Sequence, residues 1–166
     1  IERALGLDGA AEITFAFQGG EPPAAGIDYF RAFTSYVDAH KQRQTIHYAL
    51  QTNATLLDEE WVALFQQHQF LIGVSLDGYA ALHDHLRKDA AYEGTFKRVM
   101  RSVELLKRAK VDFNILTVLS SYVSAHPQKL FSFYQKHDLK YIQFIPCLAG
   151  QDEQESEFSL LHRQFA

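Results

Sequence analysis

The chain has 166 residues, of which 16 are basic and 20 are acidic, so its formal net charge is −4. Apolar residues make up 47% of the chain, which is enough for one folded domain with a core and excludes intrinsic disorder. The single cysteine, Cys147, excludes an internal disulfide framework and any all-cysteine metal or iron–sulfur site built from this chain alone.

The predicted elements alternate between β-rich runs and amphipathic stretches. In chain order they are a strand at 12–17, a helix at 27–40, a strand at 45–50, a helix beginning after Asp58, a strand at 70–75, a short helix around 79–87, a helix at 95–110, a strand at 111–119, a helix at 126–137 and a strand at 141–145. This alternation predicts an α/β fold of parallel strands joined by right-handed crossovers. Periodicity alone leaves open whether the sheet is open or part of a barrel.

Composition also excludes several partner classes. Mild acidity with no basic run argues against nucleic-acid binding. The longest apolar runs, such as 70–72, are far shorter than the roughly 20 residues that a membrane span needs, so we expect no membrane association. The chain shows no targeting pattern, and one cysteine fits a reducing compartment, so we expect a cytoplasmic protein. Because the chain starts at Ile1 and ends within a predicted helix, we expect it to be a piece of something longer.

Small polar clusters follow nearly every predicted strand. They lie at 18–21, at 51–53, at 75–77, at Thr117 with Ser120 and Ser121, and at Gln143. Turns are commonly polar, which would explain any one cluster alone. The carboxyl ends of parallel strands meet at one edge, where the active sites of α/β folds lie, so five clusters together favour a functional site.

The cluster after the first strand carries the most chemistry. Gly19 and Gly20 allow the backbone to approach a ligand without interference from a Cβ atom. Glu21 adds a carboxylate and Pro22 stiffens the turn, so the segment suits a small ligand that bears an ammonium group. Taken alone, the two glycines are weak evidence for a site and favour a plain tight turn.

The cluster His83, Asp84 and His85 has a spacing that suggests a metal site. A transition metal normally needs three or more protein ligands, and no partner motif completes this set. The sequence therefore favours a role in building a loop and capping a helix.

The segment Phe17-Gln-Gly-Gly-Glu-Pro22 resembles the GGEP motif of radical S-adenosylmethionine enzymes. Further matches follow in order: Leu50-Gln-Thr-Asn53, Gly73-Val-Ser-Leu-Asp-Gly78, His83-Asp84, Arg87-Lys-Asp89, Gly94-Thr-Phe96, Phe113-Asn-Ile-Leu116 and Gln143-Phe-Ile-Pro-Cys-Leu148. Together, over about residues 12 to 150, they are similar to the anaerobic sulfatase-maturating enzymes, in the branch whose C-terminal extension carries auxiliary iron–sulfur clusters.

The resemblance implies a partial (β/α)6 TIM-like barrel that lacks its first βα unit, with residues 1–150 as the core fragment and 151–166 as a linker and the start of a following helix. It implies oxidation of a cysteine or serine of a sulfatase to Cα-formylglycine, initiated by reductive cleavage of S-adenosylmethionine to a 5′-deoxyadenosyl radical. The implied cofactors are S-adenosylmethionine and 4Fe-4S clusters. The implied partners are the sulfatase polypeptide and an electron donor such as flavodoxin or ferredoxin.

The same resemblance assigns two sets of site residues. S-adenosylmethionine would contact Gly19, Gly20, Glu21, Ser75, Arg87 and Leu148, and the peptide side of the cavity would be lined by Gln18, Gln51 and Asn53. In the first set the glycine turn and Glu21 would hold the amino group, and Ser75 would contact the ribose or methionyl part. Arg87 would pair with the methionyl carboxylate, and Leu148 would lie near adenine.

The chain also departs from the family pattern. The Cys-x3-Cys-x2-Cys loop that binds the catalytic cluster would precede Ile1, and the auxiliary-cluster cysteines and the catalytic acid would follow Ala166. We therefore expect this chain alone to be inactive. Ala54 stands where the family usually has glycine and Tyr79 where it usually has proline, and each change affects a loop rather than a ligand.

Two other functions remain open on the sequence alone. One is a radical S-adenosylmethionine enzyme that modifies another peptide or protein, and the other is a non-catalytic α/β domain that binds a small molecule. A Cys-x3-Cys-x2-Cys sequence just upstream of Ile1 would distinguish the enzymes from the binding domain.

Overall fold

The structure, a computed structural model of the chain, describes residues 1–6, 11–148 and 156–160. Its elements are α1 (Glu2–Leu5), β1 (Glu12–Phe17), α2 (Ile27–His40), β2 (Thr45–Thr52), α3 (Glu59–Gln67), β3 (Phe70–Ser75), α4 (Ala80–Leu86), α5 (Phe96–Arg108), β4 (Phe113–Leu119), α6 (Ser121–Ser124), α7 (Pro127–Lys136) and β5 (Ile142–Pro146), with a short 3-10 helix at Pro22–Ala25.

The predicted elements are confirmed, with ends that differ by at most two residues. β1, α2 and β3 have the predicted bounds, and β2 continues to Thr52 rather than ending at residue 50. Asp58 caps α3 as expected, because its side chain accepts hydrogen bonds from the N–H groups of Glu60 and Trp61. Helices α1 and α6 were not predicted, because a four-residue helix is too short to show an apolar period. The predicted boundary at residue 150 lies outside the described residues, as does most of the linker and helix start predicted at 151–166.

The five strands form one sheet in the order β1-β2-β3-β4-β5. The two outer pairs are parallel, with Glu12 opposite Thr45 in the β1–β2 pair and Leu119 opposite Pro146 in the β4–β5 pair. A doubly wound sheet reverses its strand order at a switch point, whereas the strands of a β/α barrel follow one another consecutively. The observed order therefore favours the barrel type that periodicity alone had left open.

The chain forms two compact units, the first made of residues 1–73 and 101–113 and the second of residues 74–100 and 114–166. Aromatic rings dominate the core of the first unit. The ring centroid of Phe30 lies 4.9 Å from that of Phe17 and 5.2 Å from that of Trp61, and Tyr48 stacks on Phe70 at 4.8 Å. Such pairs contribute about 0.5–1.5 kcal/mol each beyond the burial of their surface.

The core of the second unit combines aliphatic side chains with a buried hydroxyl pair. Ile115 and Leu76 are fully buried. The Thr117 hydroxyl donates to the Leu76 carbonyl at 2.8 Å and lies 2.6 Å from the Tyr134 hydroxyl. Each of these buried polar groups therefore has a partner, as a stable core requires. Among the described residues, no helix is long and apolar enough to cross a bilayer.

Candidate functional site

In the first unit, the glycine turn after β1 leaves open space beside its backbone. Gly19 has φ = 87° and Gly20 has φ = 58°, values that side-chain-bearing residues seldom adopt. A Cβ atom built on either glycine would have nothing within 4 Å. The protein itself does not require small residues here for packing, so the turn exposes its peptide groups to whatever lies beside it.

Glu21 ties this turn to the end of β2. Its carboxylate accepts hydrogen bonds from the hydroxyl of Thr52, which is buried, and from the N–H of Asn53 at 2.8 Å. Both carboxylate oxygens are thus used inside the protein, although an ionised carboxylate has about four acceptor positions. The observed role of Glu21 is to fix the turn, and its predicted contact with a ligand ammonium stays a prediction.

The loop after β2 is also held by short-range hydrogen bonds. The side-chain oxygen of Asn53 accepts from the N–H and the hydroxyl of Thr55, at 2.9 and 2.7 Å. Between them, Ala54 is fully buried and has φ = 57°, and its N–H donates to the Thr52 hydroxyl at 2.9 Å. This left-handed backbone explains why a glycine suits the position and shows that the loop keeps its shape with alanine there.

The other residues predicted to face the peptide also lie at this end of the first unit. Gln18 is exposed directly after β1, and Gln51 is half-buried in β2, one residue before its end. Together with Asn53 they follow or end two neighbouring strands, as the sequence predicted. Their contact with a substrate stays a prediction.

In the second unit, Ser75 and Leu148 lie at the carboxyl ends of β3 and β5. Ser75 is the last residue of β3 and is buried, and its hydroxyl makes no side-chain hydrogen bond to the residues that the structure describes. Leu148 lies two residues beyond β5 and is 65% exposed, which is unusual for leucine. Both are therefore available for the ligand contacts that the resemblance implies.

Arg87 forms an ion pair that the sequence pattern did not predict. It follows α4, and its Nε lies 2.5 Å from Oδ2 of Asp77, with Nη2 3.5 Å from Oδ1. The Asp77 side chain is 4% exposed and that of Arg87 is 28% exposed. Asp77 also accepts a hydrogen bond from the N–H of Val118 at 2.8 Å, so a neighbouring strand holds its carboxylate in place.

A buried histidine closes a ring of hydrogen bonds around this pair. The Asp77 N–H donates to Nδ1 of His83 at 3.2 Å, and Nε2 of His83 lies 2.9 Å from the hydroxyl of Thr95, which in turn donates to the Arg87 carbonyl at 3.4 Å. Because Nδ1 must accept, the proton sits on Nε2 and the ring is neutral. Burial lowers the pKa of His83 to about 4, with a further lowering by Arg87 and opposing contributions from Asp77 and Asp84.

The structure confirms that Asp84 builds a loop. Its carboxylate accepts a hydrogen bond from the N–H of Phe96, the first residue of α5, at 2.8 Å. A Cβ atom on Gly94 would overlap the same carboxyl group, so glycine is required there. In the described parts of the chain, no three His, Cys, Asp or Glu side chains are grouped closely enough to hold a metal ion.

The sequence reasoning assigned no contact at the site to Thr52, Asp77 or His83, although all three lie in polar clusters that it singled out. Two signals were present, since Asp77 lies two residues after a buried strand and an arginine comes ten residues later. A carboxylate at such a position must find a cationic or hydrogen-bonding partner when it is buried. Thr52 offered no such signal, because its partner Glu21 is 31 residues away in the sequence.

Comparisons with known proteins show which family the chain resembles. The family model described as the Radical SAM superfamily matches residues 3–133. A cysteine-type anaerobic sulfatase-maturating enzyme of Clostridium novyi (strain NT) is 44% identical over 136 residues, which cover 81% of this chain and 36% of that protein. A serine-type anaerobic sulfatase-maturating enzyme of Klebsiella aerogenes is 37% identical over 142 residues, covering 85% of this chain and 35% of that protein.

A solved structure described as native anSMEcpe with bound AdoMet and Kp18Cys peptide has a TM-score of 0.89 at 37% identity, covering 93% of this chain and 43% of that one. This likeness confirms the predicted fold class, a part of the parallel-stranded radical S-adenosylmethionine barrel. The chain spans only about two fifths of the length of the proteins it matches.

Proposed function

The chain belongs to the radical SAM superfamily, and we propose that the protein containing it oxidises a cysteine or serine of a sulfatase polypeptide to Cα-formylglycine. The observation that carries this proposal is the likeness to maturases of both the cysteine and the serine type, over more than four fifths of the chain. The region that the family model matches includes every site residue from Gln18 to Arg87. The target residue stays undecided between cysteine and serine, because the chain resembles both types.

S-adenosylmethionine is the proposed co-substrate, and two features of the chain suit its amino-acid part. The peptide groups at Gly19 and Gly20 face open space and offer carbonyl acceptors to an ammonium group, while Glu21 adds negative charge nearby. The guanidinium of Arg87 is a matched receptor for a carboxylate. Ser75 and Leu148 would complete the contacts, toward the ribose and adenine respectively. In the full-length protein, 4Fe-4S clusters held by other segments would supply the electron that cleaves S-adenosylmethionine.

The remaining proposals concern the polypeptide and the electron source. Gln18, Gln51 and Asn53 carry amide groups that hydrogen-bond a peptide backbone well, and we assign them to the substrate side. The electron donor would be a small redox protein such as flavodoxin or ferredoxin. With one cysteine in 166 residues, the chain suits a reducing compartment, and we place the protein in the cytoplasm.

A first experiment tests the reaction itself. The full-length protein, with its clusters reconstituted without oxygen, is incubated with S-adenosylmethionine, a reductant and sulfatase peptides that carry cysteine or serine at the target position. We expect 5′-deoxyadenosine and a formylglycine peptide from at least one of the two. Formation of 5′-deoxyadenosine with no formylglycine would identify a radical enzyme with another target. If neither product forms although the clusters are intact, the proposed function is wrong.

A second experiment tests the glycine turn by substituting Gly20 with valine. A β-branched residue at φ = 58° strains the backbone and fills the space beside the turn. We expect the production of 5′-deoxyadenosine to fall at least 100-fold while the iron content is unchanged.

The matched control for this change is Gly26→Val, because Gly26 also has a positive φ, 85°, and also has nothing within 4 Å of a built Cβ. Gly26 is not one of the proposed ligand contacts, so its variant should keep most of the activity. If circular dichroism shows that both variants are folded, their equal activity would contradict the ligand contact.

A further inference from the structure

Arg87 is already paired with a carboxylate, yet it is also the proposed receptor for a second one. The guanidinium carries five N–H donors in one plane, arranged so that two of its edges can each bind a carboxylate. Asp77 occupies the edge formed by Nε and Nη2, at 2.5 and 3.5 Å. The other edge, formed by Nη1 and the second N–H of Nη2, has no partner among the residues that the structure describes, and the side chain is 28% exposed.

We propose that Asp77 is a positioning residue for the binding of S-adenosylmethionine, because it holds one edge of the Arg87 guanidinium and thereby presents the other edge to the methionyl carboxylate. This inference rests on the proposed function above. It adds a residue that does not touch the ligand and acts only through Arg87.

The surroundings of Asp77 fit this role better than that of an ordinary surface ion pair. Its side chain is almost fully buried, and the N–H of Val118 in β4 fixes one carboxylate oxygen at 2.8 Å. A long arginine side chain loses the freedom of several rotatable bonds when it is immobilised. In this protein, Asp77 removes that freedom before any ligand arrives, so less binding free energy is lost in ordering the side chain.

The backbone of Arg87 is held as well as its side chain. The chain of hydrogen bonds from the Asp77 N–H through His83 and Thr95 ends on the Arg87 carbonyl. The Arg87 N–H donates to the His83 carbonyl at 2.7 Å. Asp77 therefore holds the side chain of the arginine, and His83 of α4 and Thr95 hold its backbone, which is the arrangement expected of a preorganised binding group.

Charge and position make opposite predictions for the loss of Asp77. The aspartate neutralises Arg87, so if long-range charge governed binding, its removal would strengthen the attraction for a ligand carboxylate. If the fixed position of the guanidinium governs binding, the loss of Asp77 lets the guanidinium rotate and weakens the binding of S-adenosylmethionine. The sign of the effect therefore decides between charge and position.

The test uses Asp77→Asn in the full-length protein, with clusters reconstituted and kept oxidised so that no turnover occurs. Asparagine has the same shape but can accept only on one oxygen, so it cannot serve both Arg87 Nε and the Val118 N–H. Calorimetric titration gives the dissociation constants of S-adenosylmethionine and of 5′-methylthioadenosine, which has no amino-acid carboxylate. We expect S-adenosylmethionine to bind about tenfold more weakly, which corresponds to about 1.4 kcal/mol. The dissociation constant of 5′-methylthioadenosine should change less than twofold.

A control removes a neighbouring, more exposed ion pair between an aspartate and an arginine. Asp89 lies 2.5 Å from Nη2 of Arg98 in the same unit and is not a proposed contact of the ligand, so Asp89→Asn should leave both dissociation constants unchanged. A second variant, Arg87→Ala, tests whether Asp77 affects ligand binding only through Arg87. Adding Asp77→Asn to Arg87→Ala should cause no further loss of affinity if Asp77 acts only through Arg87.

Each other outcome overturns the inference. If Asp77→Asn binds S-adenosylmethionine as tightly as the wild type or more tightly, the position of the guanidinium does not govern binding. If the affinities for both ligands fall equally, Asp77 has a structural role only. If Asp77→Asn does not fold, Asp77→Glu replaces it, because this variant keeps the charge and displaces the carboxylate by one methylene. Weaker binding of S-adenosylmethionine alone would then support the inference, and unchanged binding would overturn it. Wild-type protein that fails to bind S-adenosylmethionine would instead reject the proposed function and this inference with it.

Discussion

The buried histidine of the second unit makes the stability of the fold depend on pH in a defined range. His83 is fully buried, and Nδ1 of its neutral ring accepts the N–H of Asp77. Protonation would place a second N–H against this donor and would put a charge in a site shielded from water. Burial is the main reason why its pKa falls from 6.5 to about 4 in the folded protein.

This pKa shift sets the direction and the size of the change in stability with pH. Between pH 6.5 and pH 4 the unfolded chain binds a proton at this residue and the folded chain does not, so unfolding takes up protons. The contribution to stability is complete above pH 6.5 and is lost as the pH falls toward 4. A shift of this size corresponds to roughly 3 kcal/mol, which is a large part of the 5–15 kcal/mol that stabilises a typical domain.

The assay compares the wild type with His83→Gln by urea unfolding at a series of pH values from 7.5 to 4. Glutamine can accept from the Asp77 N–H and donate to Thr95, but it does not titrate in this range. Other acidic and basic groups titrate equally in both proteins, so the difference in unfolding free energy isolates His83. We expect the wild type to lose roughly 3 kcal/mol more than the variant between pH 7 and pH 4. A difference that stays constant over this range would refute the reasoning.

Three further predictions concern substitutions at single positions. Arg87→Ala should weaken the binding of S-adenosylmethionine to the full-length protein by roughly 1.5–3 kcal/mol, and Arg87→Lys should recover only part of that, because an ammonium cannot make a planar bidentate contact; equal calorimetric affinities of wild type and Arg87→Ala would contradict the assignment. Lys110 is exposed at the end of α5 with φ = 55°, so Lys110→Gly should raise the urea-unfolding free energy by about 1 kcal/mol or less. Ala54→Gly relieves the same backbone strain but removes a fully buried methyl group worth about 0.8 kcal/mol, so the urea-unfolding free energy should hardly change. A rise in that free energy as large as the one at Lys110 would show that the lost burial does not offset the relieved strain.

Most of the fold could be predicted because local pattern and global packing agree. The run Phe70–Ser75 is almost continuously apolar, as a strand buried on both faces must be, and five of its six residues are buried. Asp58 and the acidic residues after it mark the start of α3 for equally local reasons. The ends of other elements differ by one or two residues, because the last turn of a helix or the last pair of a strand depends on neighbours that a local pattern does not contain.

In the candidate site, too, the features that depend on local sequence could be predicted and those that depend on distant residues could not. The glycine turn was predictable, because two consecutive glycines directly after a strand usually mark a positive φ or the close approach of another group. The attachment of Glu21 to Thr52 was not predictable, because it forms only when β1 and β2 lie side by side in the observed register. The threonine at position 52 does not by itself indicate this hydrogen bond, since threonine is common in β-strands.

The ion pair between Asp77 and Arg87 shows why spacing carries information that residue identity lacks. Arg87 ends α4, and a basic residue at the end of a helix normally needs no partner beyond the helix dipole. The pair forms because α4, with its seven residues, brings the arginine back toward the loop where the chain left β3. One residue more or less in this helix would turn Arg87 by about 100° and move it about 1.5 Å along the axis, which would break the contact with Asp77. Both residues would still be present in such a chain, and neither would hold the other, so the ten-residue separation is itself part of the site.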